Sequence, residues 1–251
     1  MKKPPLPVAA IFGIALVLAP VAEAAELKMI AGGSMTGPLN AIAPEFEKAS
    51  GHKLTIHFDS TPNLIKLATS GAAFDLGVVP VDVFKDATAK ARFAAGPTID
   101  IARVGYGVAV RTGTAKPDVS TPAALKKTLL DAQSIATIPA SAAGAYVTSV
   151  FERLGIADAM KAKTKAQTAT TQIPLAVANG EVELGVFLVN VLMAPGVELA
   201  GSFPVELQQE LVFTAAIAAD TKEAEAARVL IDYLRTPAAT AVIKAKGMTP
   251  G

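Results

Sequence analysis

The segment from Leu27 to Lys48 combines an apolar run, a Gly-Gly-Ser turn and a helical pattern, in that order. The apolar run suits a buried strand, and Leu39, Ile42 and Phe46 recur at the spacing of one helix face. Pro38 fits the first helical turn, where its missing N–H costs nothing. The segment therefore predicts a strand-turn-helix unit, and it constrains the chain to an α/β fold.

The turn of this unit carries two hydroxyls, those of Ser34 and Thr36, with Met35 between them. A helix start has unpaired N–H donors and a partial positive charge, so this point favours an anion or a carboxylate. Ser and Thr are also common helix caps, so an ordinary capped helix is the alternative. We take Ser34 and Met35 as candidate ligand-binding residues.

A second hydroxyl-bearing turn, with Ser60 and Thr61, follows the alternating strand pattern at 54–58. The alternation of strands and helices continues with a predicted helix over 63–70, a strand over 75–80 and a helix over 81–90. In a parallel sheet such turns lie together at the carboxyl edge, where open α/β sheets bind ligands. Two hydroxyl turns at one edge therefore favour a binding site over two unrelated caps.

The β-rich segment 99–110 contains Gly105 and Gly107, and such glycines often mark a bend. Strands at 134–138 and 183–188, with a small-residue turn at 139–144, then repeat the pattern. Segments 197–204 and 209–217 read as the return crossing. We therefore predict two α/β lobes joined by two crossing segments: residues 25–109 plus 213–251, and residues 110–212.

Residues 1–24 are predicted to be a secretory signal peptide. They contain Lys2 and Lys3, an apolar stretch over 8–18 and the small-residue cleavage site AEA ending at Ala24. The chain has no cysteine and a formal net charge of only +1, so we expect no disulfides and no nucleic-acid partner. We expect an exported, periplasmic protein stabilised by its core alone.

Catalytic motifs are scarce in this sequence. It has no cysteine nucleophile, no HExxH, no histidine cluster and no Walker loop, so we expect no metal and no cofactor. Asp59 is the acidic group placed to meet a ligand, and Tyr106 lies in the crossing segment. If the protein is an enzyme, Asp59 and Tyr106 are its candidate proton-transfer residues. His52 and His57 are interpreted as structural.

Several runs in order along the chain resemble the molybdate-type periplasmic solute-binding proteins. They are AGGSMTGPL from Ala31, FDST from Phe58, FDL from Phe74, PASAAG from Pro139 and ANGE from Ala178. The resemblance implies the type 2 periplasmic-binding fold, with an oxyanion held in the interlobe cleft by hydroxyls and backbone N–H groups. It also implies a monomer that works with the permease of an ABC transporter.

Carried over residue by residue, the resemblance assigns hydroxyl contacts to Ser34 and to Thr61 or Ser60 beside it. It assigns a backbone donor to Ala143, just before Gly144, and a further contact to Thr170 or Thr171. The sequence departs from the family at Leu188, which stands where molybdate binders place a tyrosine. This departure favours an organic carboxylate over molybdate. The segment 194–208 is similar instead to a divergent branch of the family that includes aconitate isomerases.

Two functions from different classes remain open. The first is a binding protein that captures a small anion for a transporter, which needs lobe closure and no chemistry. The second is an isomerase of a small unsaturated tricarboxylate, which needs a base beside a carboxylate and donors for the developing charge. A proton-transfer group in the cleft would distinguish the second from the first.

Overall fold

The computed structural model describes residues 24–251, which form two β-sheets with helices packed around them. The predicted signal peptide lies outside the described residues, apart from Ala24. No helix among residues 24–251 is long and apolar enough to cross a membrane. The predicted α/β architecture with two separate sheets is confirmed.

The first half of the chain builds most of the first sheet. Its strands are β1 (Glu26–Gly32), β2 (Lys53–Asp59), β3 (Leu76–Pro80) and β4 (Ile99–Val104). Its helices are α1 (Thr36–Ser50), α2 (Thr61–Thr69) and α3 (Ala87–Lys90). The predicted helix over 81–90 is instead a 3₁₀ segment, Val81–Lys85, followed by the short α3, because Asp86 leaves the helical region and caps α3 with its side chain.

The second sheet uses β5 (Tyr106–Arg111), β6 (Ile135–Thr137), β7 (Thr164–Ala166), β8 (Leu184–Leu188) and β9 (Val197–Ser202). The helices around it are α4 (Pro122–Asp131), α5 (Ala142–Arg153), α6 (Ala157–Lys163), α7 (Gln172–Ala178) and α8 (Val189–Leu192). The chain then returns to the first sheet with β10 (Leu211–Ile217), α9 (Ala224–Leu234), α10 (Pro237–Ala245) and β11 (Thr249–Pro250).

The strand order explains how the hydroxyl turns meet. The first sheet runs β11-β4-β10-β3-β1-β2, and β1 pairs in parallel with both β2 and β3. The second runs β7-β6-β8-β5-β9, and β6 pairs in parallel with β7 and β8. Because β1 and β2 are neighbours in register, with Gly32 opposite Asp59, the two turns that follow them lie side by side.

The chain passes between the sheets twice, at Gly105 and between β9 and β10. Gln208 joins these two crossings: its amide accepts from the Tyr106 N–H at 2.8 Å and donates to the Tyr106 carbonyl at 3.0 Å. The predicted lobe limits, 109/110 and 212/213, fall within β5 and β10. The exact division into lobes stays a prediction, and strand pairing favours placing its limits at the two crossings.

A single apolar cluster extends from one sheet to the other. It includes Phe46 and Leu76 around the first sheet, Leu125 and Phe187 around the second, and Tyr106 at the crossing, all less than 2 % exposed. A smaller cluster around Leu64 and Phe74 covers the other face of the first sheet. Continuous packing between the sheets leaves the carboxyl ends of β1, β2 and β6 facing one another across a cleft.

Candidate functional site

A cavity of about 190 Å³ lies between the two sheets. Turns after β1, β2 and β6 form its walls, together with the loop before α7 and side chains from β3, β8 and β10. Its lining residues are Gly32, Gly33, Ser34, Thr36, Phe58, Asp59, Ser60, Thr61, Pro80, Ile138, Ser141, Ala143, Thr168, Ala169, Thr170, Thr171, Phe187, Leu211 and Phe213.

The first wall is the turn between β1 and α1. A 3₁₀ segment, Gly33–Met35, turns the chain, and Ser34 is buried at the cavity with 8 % of its surface exposed. Gly32 is required by packing, because a Cβ there would stand 2.6 Å from the Phe213 ring. The Thr36 hydroxyl donates to the Gly33 carbonyl at 2.7 Å and so stabilises this turn.

The second wall is the start of α2. Ser60 stands at the N-cap position, yet its hydroxyl makes no capping hydrogen bond. Thr61 is 8 % exposed and lines the cavity beside it. The first N–H groups of a helix have no intrahelical partner, so this turn offers backbone donors together with two hydroxyls.

The third wall belongs to the other lobe and is the start of α5. Ser141 caps this helix, accepting from the Gly144 N–H at 3.0 Å and donating to the Ile138 carbonyl at 2.8 Å. The predicted donor Gly144 therefore already has a partner, and it is absent from the cavity wall. Ala143 does line the cavity, so its first-turn N–H is the donor that α5 offers there.

The fourth wall is the loop before α7, with Thr168, Thr170 and Thr171. Gln172 organises this loop: its side-chain carbonyl accepts from the Thr168 N–H at 2.9 Å and from the Ala169 N–H at 3.0 Å. Thr170 and Thr171, one of which the resemblance assigns as a ligand contact, both line the cavity. This loop thus brings three threonines to the cavity wall, although the Thr168 hydroxyl donates to the Gln172 side chain at 3.1 Å.

Direct hydrogen bonds join the lobes around the cavity. The Thr170 hydroxyl donates to the Gly33 carbonyl at 3.3 Å, and the Asn190 amide donates to the Ser34 carbonyl at 2.8 Å. The Ala142 N–H approaches the Thr61 hydroxyl at 3.4 Å. The structure therefore shows the lobes in contact along both sides of the cleft.

Asp59 is the only ionisable side chain among the described residues that line the cavity. Its Oδ1 accepts from the Ser60 N–H at 2.7 Å and from the Asn63 amide at 2.8 Å. Its Oδ2 is 3.5 Å from Nε2 of His57, whose side chain is 54 % exposed. No group of three metal-ligating side chains occurs within residues 24–251. Neutral donors and one carboxylate thus define the chemistry of this cavity.

Tyr106 was predicted as a proton-transfer residue if the protein is an enzyme, but the structure places its side chain away from the cavity. Its side chain is 1 % exposed, packs against the Tyr146 and Phe203 rings, and does not line the cavity. Burial, and then the nearby charge of Asp82, raises the pKa of Tyr106 far above its ordinary value. The position of this phenol, buried away from the cavity wall, gives it no contact with a ligand held there.

Leu188, which was predicted to face the ligand, does not line this cavity either. Leu188 is fully buried opposite Tyr106 in the β5–β8 pairing, and its neighbour Phe187 lines the cavity instead. Successive side chains of a strand point to opposite faces, so an error of one position moves a residue out of the site. Met35 likewise has a fully buried side chain outside the cavity wall, which leaves its backbone as the only part available to a ligand.

Three polar residues of the wall were absent from the predicted ligand set: Thr36, Ser141 and Thr168. Ser141 could have been found from its sequence, because a serine three residues before Gly144 at a helix start is a typical N-cap. The apolar wall residues Phe58, Phe187 and Phe213 carried no signal of their own. They read as ordinary core residues until the sheets face each other.

The fold has two α/β lobes, and hydroxyls and helix starts line the cleft between their sheets. This combination is typical of extracellular solute-binding proteins. The chain belongs to the family described as bacterial extracellular solute-binding protein, whose model matches residues 27–249. The resemblance to its molybdate-type members is confirmed.

Two curated relatives cover nearly the whole chain. An aconitate isomerase of Pseudomonas sp is 31% identical over 258 residues, covering 98% of this chain and 97% of that protein. The molybdate-binding protein ModA of Azotobacter vinelandii is 32% identical over 236 residues, covering 92% of each chain. The relatives thus include both a binding protein and an enzyme.

Solved structures support the same fold. The periplasmic molybdate-binding protein of Azotobacter vinelandii superimposes with a TM-score of 0.74 at 22% identity, covering 89% of this chain and 98% of that one. The tungstate-binding protein TupA of Desulfovibrio alaskensis superimposes with a TM-score of 0.65 at 16% identity, covering 90% and 99%. At these identities the likeness establishes the fold, and the ligand has to be argued from this chain's own residues.

Proposed function

We propose that this protein works in the periplasm, where it captures a small anion in its interlobe cleft and delivers the anion to the permease of an ABC transporter. The observation that carries the proposal is the convergence of helix starts on one cavity. The turn before α1 and the starts of α2 and α5 all reach it, with Ser34, Ser60 and Thr61 beside them. Periplasmic location, a permease partner and a monomeric state are parts of this proposal.

The hydrogen-bond donors of the cavity suit a protein that captures an anion and then releases it. Hydroxyls and helix N–H groups orient an anion through hydrogen bonds and partial charges, and no lysine or arginine among the described lining residues neutralises it. A cavity of about 190 Å³ accommodates either a tetrahedral oxyanion or a small organic carboxylate. Molybdate and tungstate, after which similar proteins are named, and di- and tricarboxylates are therefore the ligand candidates.

The test is a thermal-shift and calorimetric screen of the chain without residues 1–24. Molybdate, tungstate, sulfate, phosphate, and di- and tricarboxylates are titrated separately. A ligand at a hundred times its dissociation constant should raise the free energy of unfolding by about 2.7 kcal/mol. The same ligand should stabilise Ser34→Ala less. If no anion stabilises the protein, the proposal fails.

An isomerase is the second candidate, and Asp59 is the observation that favours it. This carboxylate lies in the same cavity as the donors, so it could remove a proton next to a ligand carboxylate while hydroxyls and N–H groups hold the resulting charge. The aconitate isomerase relative supplies the substrate class, an unsaturated tricarboxylate. Binding remains our first proposal, because Asp59 is the only proton-transfer side chain among the described lining residues.

Proton-exchange NMR of cis- and trans-aconitate in heavy water separates the two candidates. A binding protein gives no sustained exchange. Catalytic exchange that persists over many turnovers in the unaltered protein and disappears in Asp59→Asn would overturn our preference. Asp220→Asn, which changes an exposed carboxylate, is the matched control.

A further inference from the structure

We propose that Asp59 is a specificity-determining residue, which selects anions that carry a hydroxyl group or an acid proton. Hydroxycarboxylates and hydrogen phosphate belong to this class, whereas molybdate, sulfate and carboxylates without a hydroxyl do not. The inference rests on the proposed function, because it names the chemical class of ligand that the anion-binding cleft prefers.

The geometry of Asp59 leaves one oxygen open. Oδ1 already accepts two hydrogen bonds, from the Ser60 N–H at 2.7 Å and from the Asn63 amide at 2.8 Å. These two bonds hold the carboxylate in place at the carboxyl end of β2. Oδ2 has only the 3.5 Å contact with His57 Nε2, which is longer than an ordinary hydrogen bond. A carboxylate can accept about four hydrogen bonds, so Asp59 still has acceptor capacity.

Several other polar groups of the wall can donate to a ligand. Ser34, Ser60 and Thr61 offer hydroxyls from the first lobe, and Thr171 offers one from the second, whereas the Thr170 hydroxyl already donates to the Gly33 carbonyl. An anion whose oxygens are all acceptors is matched by these groups but meets an additional acceptor at Asp59. A ligand that also carries one donor matches both kinds of group at once.

No lysine, arginine or histidine stands beside Asp59 in the described wall to compensate its charge. His57 lies 3.5 Å from the Asp59 carboxylate, but it is not part of the described wall and its side chain is 54 % exposed. A ligand that lacks a donor therefore shares the cavity with a carboxylate, which costs binding energy through repulsion and an unfilled hydrogen bond. Specificity against such ligands arises from this mismatch as well as from the bond that a hydroxyl ligand gains.

Matched ligand pairs that differ by one hydroxyl provide the test. Calorimetry is carried out on the chain without residues 1–24, with citrate against propane-1,2,3-tricarboxylate and with malate against succinate. We expect the hydroxylated member of at least one pair to bind about tenfold or more tightly, since a hydrogen bond to a charged group contributes roughly 1.5–3 kcal/mol. Phosphate against sulfate makes the same comparison for an inorganic pair.

The Asp59→Asn variant should remove the preference. Asparagine keeps the shape and replaces one acceptor oxygen by a donor, so ligands without a hydroxyl should gain affinity while their hydroxylated partners lose it. Asp220→Asn should keep the original ratio. Equal affinities within each pair, or a ratio that Asp59→Asn leaves unchanged, would overturn the inference while the anion-binding function stands. Absence of binding by every anion would overturn the function itself and the inference with it.

Discussion

The hydroxyl of Thr170 donates a hydrogen bond to the carbonyl of Gly33 at 3.3 Å, across the cleft between the lobes. Both residues also line the cavity. The contact that joins the lobes and the contacts available to a ligand therefore come from the same two turns. We therefore expect lobe closure and ligand capture to be coupled through the backbone at Gly33.

Thr170→Val should weaken ligand binding with little effect on the stability of the ligand-free protein. Valine keeps the shape but cannot donate, so closure loses one neutral hydrogen bond. The expected loss is about 0.5–1.5 kcal/mol, or roughly twofold to tenfold in affinity. Calorimetry and thermal unfolding measure the two effects. Thr69→Val, on the exposed end of α2, is the control. A fall in stability as large as the loss of affinity would contradict this interpretation.

Ser34→Ala and Thr61→Val should each weaken anion binding by about 1–3 kcal/mol, because each removes a buried hydroxyl from the cavity wall. Ser70→Ala, an exposed serine beyond α2, should bind as the unaltered protein does. The measurement is calorimetric titration with the tightest anion from the screen. Unchanged affinity in both variants would show that the ligand lies elsewhere in the cleft.

Gly144→Ala should destabilise the fold strongly. A Cβ at this position would stand 1.7 Å from the Ile138 carbonyl oxygen, so the backbone before α5 would have to move. Overpacking of this kind costs about 1–3 kcal/mol or more. Gly37→Ala is the matched control within α1, where nothing stands closer than 3.9 Å to the added atom. There alanine should be neutral or raise stability, since it is the better helix former. Equal melting temperatures for the two variants would refute the packing argument.

Tyr106 should make the protein sensitive to alkali. Its pKa is raised in the folded state, chiefly by burial, whereas an unfolded tyrosine titrates near its ordinary value of about 10. Above that pH the unfolded state binds fewer protons than the folded state, so the free energy of unfolding decreases as pH rises. This contribution is fully present below pH 10. Thermal unfolding from pH 8 to pH 11 should therefore show a smaller decrease for Tyr106→Phe.

Tyr233→Phe is the control for this pH dependence, because Tyr233 is only partly buried, at the edge of Phe46. Its pH profile should follow that of the unaltered protein. If Tyr106→Phe loses stability with pH as steeply as the unaltered protein does, the alkaline transition has another origin.

Local patterns determined much of this structure. The apolar run before Gly32 predicted β1, and the spacing of Leu39, Ile42 and Phe46 predicted α1. Such predictions succeed because the spacing of apolar residues along the sequence reflects the local backbone conformation. The hydroxyl turns at Ser34 and at Ser60–Thr61 were placed at one sheet edge by the geometry of parallel strands, and the structure has them side by side.

Only the tertiary structure decided which of two adjacent residues in a buried strand lines the cavity. All five residues of β8 are buried, so hydrophobic alternation gives no sign that Phe187 rather than Leu188 lines the cavity. The same holds for Tyr106 in β5, where five of six residues are buried. The meeting of Thr170 with Gly33, 137 positions apart in sequence, likewise depends on how the two sheets pack. Short-range patterns specify elements, whereas the face that a fully buried strand presents is fixed by the packing around it.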